Sequence, residues 1–223
     1  MLSIVATPIG NLGDITLRAI ETLKKCDAVV CEDTRVTGNL LKQLGIGKKE
    51  LISFHGHTDP GKVEHLINLL KGGKHFALVS DAGTPGISDP GYAIVKRARD
   101  TNIPIEAIPG PSAFLAALSV SGLPIHNFVY LGFLPLKKGR KTLLDSLRDE
   151  KRTVIFYESV HRIEKTLNEL ADTLKDQPDR PMAIARELTK MHEQVINTTV
   201  HDLPSIVQFL TKKGEFVVII GAR

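Results

Sequence analysis

The residues able to do chemistry in this sequence crowd into a few short stretches. Glu32-Asp33-Thr34-Arg35 sets two carboxylates beside a guanidinium. Ser80 to Gly91 reads SDAGTPGISDPG, twelve residues with three glycines, two prolines and two aspartates. Thr7–Asp14 (TPIGNLGD) and Pro109–Ala113 (PGPSA) are similarly small and turn-rich, while YESVHR (Tyr157–Arg162), ARELTKMHE (Ala185–Glu193) and LKKGRK (Leu136–Lys141) carry charge. Stretches so poor in bulk expose backbone amides and let the chain approach a small polar ligand closely. The carboxylates offer proton acceptors, and the cations suit a polyanion. None of the glycine-rich strings is a phosphate-binding P-loop or a G-x-G-x-x-G fingerprint, which disfavours a nucleoside triphosphate or NAD. A nucleoside-type ligand without phosphates fits better.

Each stretch also has a plainer reading. Gly-Pro strings are ordinarily turns. Glu32–Arg35 reads equally as a helix start, with acids in the first turn and Arg35 pairing them. Glu187, Lys190 and Glu193 recur at helical spacing and would serve as a solvated face. His55 and His57 stand two apart in SFHGHTD, but no cysteine cluster or third ligand accompanies them, so no metal site is expected. What lifts these stretches above their plain readings is their common place at strand ends.

That place follows from the elements around them. Short Val/Ile-rich runs over 2–7, 28–32, 51–54, 76–81 and 105–108 alternate with amphipathic stretches such as TLRAIETLKK and KVEHLINLL. Strands separated by single helices imply right-handed crossovers and a mainly parallel sheet. A second series of strands follows over 128–133, 153–157, 182–185, 194–200 and 216–220. There only RELTKMHE separates two strands, which predicts a mixed sheet. The expected fold is α/β, two tandem domains over 1–122 and 123–223. In open parallel sheets ligands settle beyond the carboxyl ends of the strands, where the unusual loops fall. PGPSA further predicts Ser112 as the N-cap of a helix whose free amides face the same place.

Composition narrows the partners. A chain of 223 residues with 42% hydrophobic residues and mean hydropathy near zero can bury a sizeable soluble core. Net charge +4 is compatible with a polyanionic partner. The cationic string Lys137, Lys138, Arg140 and Lys141 reads evenly as a solvated helix start or as a contact for such a partner, and positive charge at a helix start, opposing the helix dipole, modestly favours the partner. Arg35 and Lys190 are candidates to orient neighbouring phosphates. With aromatics at 5% and no tryptophan, broad base-stacking platforms are not expected. Two cysteines make no disulfide framework, and no signal-like or membrane-length apolar run occurs, which together predict a cytoplasmic protein without membrane association.

Taken together, ATPIGNLGDITLRA, CEDTRVTGNLL, VSDAGTPGISDPG, IPGPSA, GFLP, FYES-HR and ARELTK resemble the ribosomal small-subunit RNA methyltransferase I group of the tetrapyrrole-methylase superfamily, from residue 4 to about 221. The resemblance implies an S-adenosylmethionine-dependent enzyme that methylates a cytidine 2′-hydroxyl of 16S rRNA in the decoding region, within the 30S subunit. It also implies two α/β domains, a donor site in the crevice where they meet, and a homodimer. By the same resemblance Pro8, Ile9 and Gly10 wall the donor site, Asp81, Ala82, Gly83 and Ile87 cradle the donor, Ser112 and Ala113 close it, and Tyr157, Ala185 and Glu187 take the adenosine side. Departures are mild: Val160 stands where proline is more usual, Thr58-Asp59 where Asn-Glu is usual, and a short helical extension usual after the final strand is not in this sequence. For the base that takes the hydroxyl proton, Glu32, Asp33, His55 and Glu187 are candidates, with Glu32 or Asp33 preferred. The alternatives are a tetrapyrrole-precursor C-methyltransferase of the same superfamily and a non-catalytic RNA-binding assembly protein.

Overall fold

The computed structural model describes residues 1–56 and 59–223. His57 and Thr58, which figure in the histidine pair and in one family departure, lie outside the described residues. The chain divides into two compact units, Met1–Ser112 and Ala113–Arg223.

The first unit carries strands β1 (Leu2–Val5), β2 (Ala28–Cys31), β3 (Glu50–Ser53), β4 (Phe76–Leu78) and β5 (Ile105–Ile108) in one sheet of order β3-β2-β4-β1-β5. Every pairing in it is parallel. Such a sheet must be covered on both faces, so its strands read as unbroken apolar runs rather than alternating ones. The pleat then sorts the side chains. Leu2, Ala28, Val30, Phe76 and Leu78 face one way, onto Leu66, Ile67 and Leu70 of α3 (Pro60–Lys71) and Ile94 and Ala98 of α4 (Tyr92–Asp100). Val5, Val29, Cys31, Ala77 and Ile108 face the other, onto Ala19 and Leu23 of α1 (Leu17–Lys25) and Leu41 of α2 (Thr34–Gln43). Helices alternating with strands of one direction put every strand's carboxyl end on the same edge.

The second unit opens with α5 (Ala113–Val120), which packs on the later strands β7 (Thr153–Ser159) and β10 (Glu215–Ile220). That packing carries residues 113–122 into the second unit, so the division falls ten residues before the expected one. The sheet runs β6 (Phe128–Phe133), β7, β10, β8 (Pro181–Arg186), β9 (Gln194–Thr199), with β6–β7 parallel and the remaining pairs antiparallel, a mixed sheet as expected. One face is covered by α6 (Arg140–Ser146), α7 (Ile163–Thr173) and α8 (Leu203–Phe209), through Leu144, Leu167, Leu170 and Leu203 against Phe156, Ile184, Val218 and Ile220. No helix among the described residues is long and apolar enough to cross a membrane.

Candidate active site

Four loops meet at the carboxyl edge of the parallel sheet, those after β1, β2 and β5 each being tied to the one after β4. Beyond β1, Thr7 and Gly83 form an isolated two-residue bridge, their amides donating to each other's carbonyls at 2.8 and 3.0 Å. Beyond β2, the Asp33 amide donates to an Asp81 carboxylate oxygen at 3.1 Å. Beyond β5, the Pro111 carbonyl accepts the Thr84 hydroxyl at 3.1 Å. Pro8, Ile9, Gly10, Asp81, Ala82, Gly83 and Ser112 are thus gathered by backbone connections, with Ile87 held in the same loop by its amide on the Thr84 carbonyl. Gly83 is glycine for its backbone: its φ of +81° is strained for any L side chain, whereas a Cβ there would make only ordinary contact with the Ile9 Cγ2 at 3.5 Å. Gly110 is glycine for space instead, since a Cβ there would press on that of Ala6 at 3.0 Å.

The acids on this edge are not equivalent. Asp33 caps α2 through the Arg35 amide at 2.8 Å and pairs with the Arg35 guanidinium. Those bonds hold its carboxyl far below the usual carboxylate range. Asp33 thereby caps α2, the plainer of its two readings, and Arg35, its side chain 89% exposed, pairs with it. Glu32 has no such cation. Burial pushes its carboxyl up, Asp81 adds to the rise, and only His55 opposes it appreciably. Asp89, not among the expected site residues, is perturbed further: burial drives it up to about 6, a hydrogen bond from Ser80 offsets part of the rise, and Glu32 and Asp81 reinforce it. The signal for Asp89 was in the SDPG string, but an aspartate before Pro-Gly reads as a turn residue. Only the return of the loop onto β2's end places it near Glu32.

In the second unit, Tyr157 and Ala185 share a row, each paired in register with Val217 of the strand between them. The Tyr157 hydroxyl accepts the Phe114 amide at 3.2 Å, and its ring lies edge-on to Tyr130 at 5.6 Å. Ala113 opens the helix that supplies Phe114. Glu187 follows β8 in a left-handed conformation, φ 52°. Burial raises its carboxyl, but bonds from the Lys190 ammonium and the Glu215 amide outweigh it and leave it below the usual range. Lys190 also reaches Glu215 at 2.8 Å. Glu187 and Lys190 are therefore an ion pair within a tight turn, each engaged by the other.

The cationic string splits as well. Lys137, Lys138 and Lys141 are exposed, Lys141 beside Asp145 at 3.0 Å. Arg140 is a correction to the expectation: it is 6% exposed and turned into the protein, its guanidinium used up by Glu169, Thr166 and the Pro135 carbonyl.

A family model of the tetrapyrrole (corrin/porphyrin) methylases matches residues 1–204. The chain belongs to the tetrapyrrole methylase family. Within it, this methylase falls among proteins called ribosomal RNA small subunit methyltransferase I. It is 47% identical to that of Synechocystis sp., over 99% of this chain and 78% of the relative. The Thermotoga maritima relative is 43% identical over 100% and 98%, and the Escherichia coli O157:H7 relative 46% over 98% and 77%. Among solved structures the fold is similar to diphthine synthase, TM-score 0.74 at 16% identity over 99% of this chain and 89% of that one. It is also similar to a cobalt precorrin-4 methyltransferase, TM-score 0.71 at 18% over 99% and 94%. Uroporphyrin-III C-methyltransferase from Thermus thermophilus, complexed with S-adenosylhomocysteine, gives 0.66 at 19% over 99% and 96%. At such identities the likeness to this methylase is one of fold.

Proposed function

We propose that the chain transfers a methyl group from S-adenosylmethionine to ribosomal RNA of the small subunit, at the 2′-hydroxyl of a cytidine in 16S rRNA, acting on the 30S subunit as a cytoplasmic homodimer. The observation that carries this reading is the identity of 43–47% along nearly the whole chain with relatives called ribosomal RNA small subunit methyltransferase I. The residues on the carboxyl edge of the first sheet fit the donor. It is a cation at sulfur with a zwitterionic tail and no phosphate. The loops there offer backbone groups, a left-handed Gly83, and acids pushed toward neutrality, with the nearby Arg35 already bound to Asp33.

Bound there, S-adenosylmethionine would supply an activated methyl group on a positive sulfur. The chain's own residues would then position the acceptor hydroxyl toward that methyl and take the hydroxyl's proton. Glu32 is the acceptor we favour over Asp33, because a raised carboxyl holds a proton better than one clamped by a guanidinium. Asp81, with Asp33's amide on it, orients the loop. Lys137, Lys138 and Lys141 are the proposed contacts to RNA phosphates.

Transfer of tritiated methyl tests the reading directly. We expect label in 16S rRNA of 30S subunits from a strain lacking the gene, resistant to alkaline hydrolysis at one cytidine. Label in a tetrapyrrole precursor and none in 30S would establish the rival reading instead. The triple variant Lys137→Gln/Lys138→Gln/Lys141→Gln should lower the salt dependence of RNA binding by about two to three counterions and leave donor binding intact.

A further inference from the structure

We propose that Arg140 and Arg162 are positioning residues for RNA engagement: linked through Glu158 and Thr166, they grip two consecutive backbone carbonyls and so fix the loop that presents Lys137 and Lys138. The inference rests on the reading of that loop as the RNA contact. The chain leaves the core between Leu134, 2% exposed, and Leu136, 72% exposed. At that exit the Leu134 carbonyl accepts from Arg162 Nη1 at 2.9 Å and the Pro135 carbonyl accepts from Arg140 Nη1 at 3.1 Å. Arg140 is also the first residue after the loop, so its side chain closes residues 135–140 into a ring. Gly139 turns the far side at φ +80°, where a Cβ would meet nothing within 4 Å, so glycine is needed there for backbone freedom and not for room.

The two grips share a base. Arg140 Nε donates to Glu169 at 2.8 Å and Nη2 to the Thr166 hydroxyl at 2.7 Å. Thr166 has a single proton, and it goes to Glu158 at 2.6 Å. The other Glu158 oxygen accepts from Arg162 Nε at 2.9 Å and from the Ser159 amide at 2.8 Å. Glu158 and Thr166 are 1% and 0% exposed, so each bond lies in a medium where a broken one leaves an unpaired buried group. Binding a flexible loop to a polyanion costs the entropy of ordering it; a loop already ordered avoids most of that cost. The network joins the strings GFLP and YESVHR, far apart in sequence, into one support for the lysines between them. With Nε, Nη1 and Nη2 of Arg140 all bonded within the protein and the residue 6% exposed, it is set to support the loop and not to meet a phosphate.

The test compares Thr166→Val, which cuts the link and leaves both arginines, with Thr166→Ser, which keeps the hydroxyl, and with Arg140→Lys, which keeps the charge and loses the fork. For Thr166→Val and Arg140→Lys we expect trypsin to nick after Lys137 and Lys138 roughly tenfold faster, as a freed loop does. The KM for 30S subunits should rise roughly tenfold at an unchanged salt slope, with kcat and donor binding kept. Thr166→Ser should restore both readouts. Unchanged nicking in both Thr166→Val and Arg140→Lys overturns the proposal. So does an Arg140→Gln variant whose salt slope drops by about one relative to Arg140→Lys, since that would mean a direct phosphate contact. If nicking quickens but Lys137→Gln/Lys138→Gln leaves RNA affinity and salt slope untouched, the loop is no RNA contact, and the functional half of the proposal fails with that reading.

Discussion

Acids of the two units differ in their partners, Asp33 with its Arg35 excepted. In the second unit Glu158, Glu169 and Glu187 each meet a cation of their own unit, Arg162, Arg140 and Lys190. In the first unit Glu32 and Asp89 meet mainly burial and other carboxylates, and both are raised by it. Matched acids hold a structure together; unmatched ones are kept at some cost in stability, and such groups gather where a ligand is to be bound. On the proposed reading, the contrast favours the first unit's edge for the chemistry and gives the second unit's polar network a scaffolding part.

The largest expected effect would break that contrast if absent. Glu32→Gln should lower the rate of methyl transfer roughly 10²–10⁴-fold while leaving the melting temperature and donor affinity near the parent's. Asp33→Asn should keep most of the activity, since asparagine still caps a helix. Single-turnover transfer to 30S subunits measures both, and the reverse ranking would move the proton to Asp33.

A matched acid should behave the other way. Glu158→Ala leaves Arg162 buried in part and Thr166 wholly buried without their shared acceptor, a change of a kind that costs about 3–5 kcal/mol. Urea unfolding should show this loss directly. A variant as stable as the parent would mean that the network contributes nothing to the fold.

The smallest effect sharpens the comparison through pH. Asp89 is raised from about 3.9 in an unfolded chain to about 6 in the folded one, so the folded state binds the extra proton between those values. From this group stability falls as pH rises from about 4 to about 6 and is level above. Affinity for the positively charged donor should strengthen as Asp89 ionises above about pH 6. Asp89→Asn should flatten both profiles, read by thermal unfolding and by calorimetry across pH 4.5 to 7.5. A parent enzyme whose donor affinity is level through pH 6 would remove Asp89 from the site.

The gathering of the candidate loops was legible in advance because loops at the ends of parallel strands have one place to go. The glycine and proline of TPIGNLGD and SDAGTPGISDPG marked those loops, and the bridge between Thr7 and Gly83 joins them. What stayed hidden was the direction of individual charged side chains. Arg140 and Lys141 are neighbours of the same charge, yet one is buried and the other exposed, because α6 turns successive residues to different faces. Glu187 looked like a site acid since it follows a strand. The left-handed turn that aims it under Gly214, where a Cβ would collide with its carboxylate, is not written in residue types.

The amino-acid sequence alone determined the α/β class, the parallel first sheet, the mixed second one and the family, because apolar periodicity and long glycine-rich strings are local signals. The tertiary structure decided which acids go unmatched, which arginine of the cationic string is buried, and that residues 113–122 belong to the second unit. Those outcomes depend on groups distant along the chain sharing one low-dielectric neighbourhood, where partner and burial set the state of a charge.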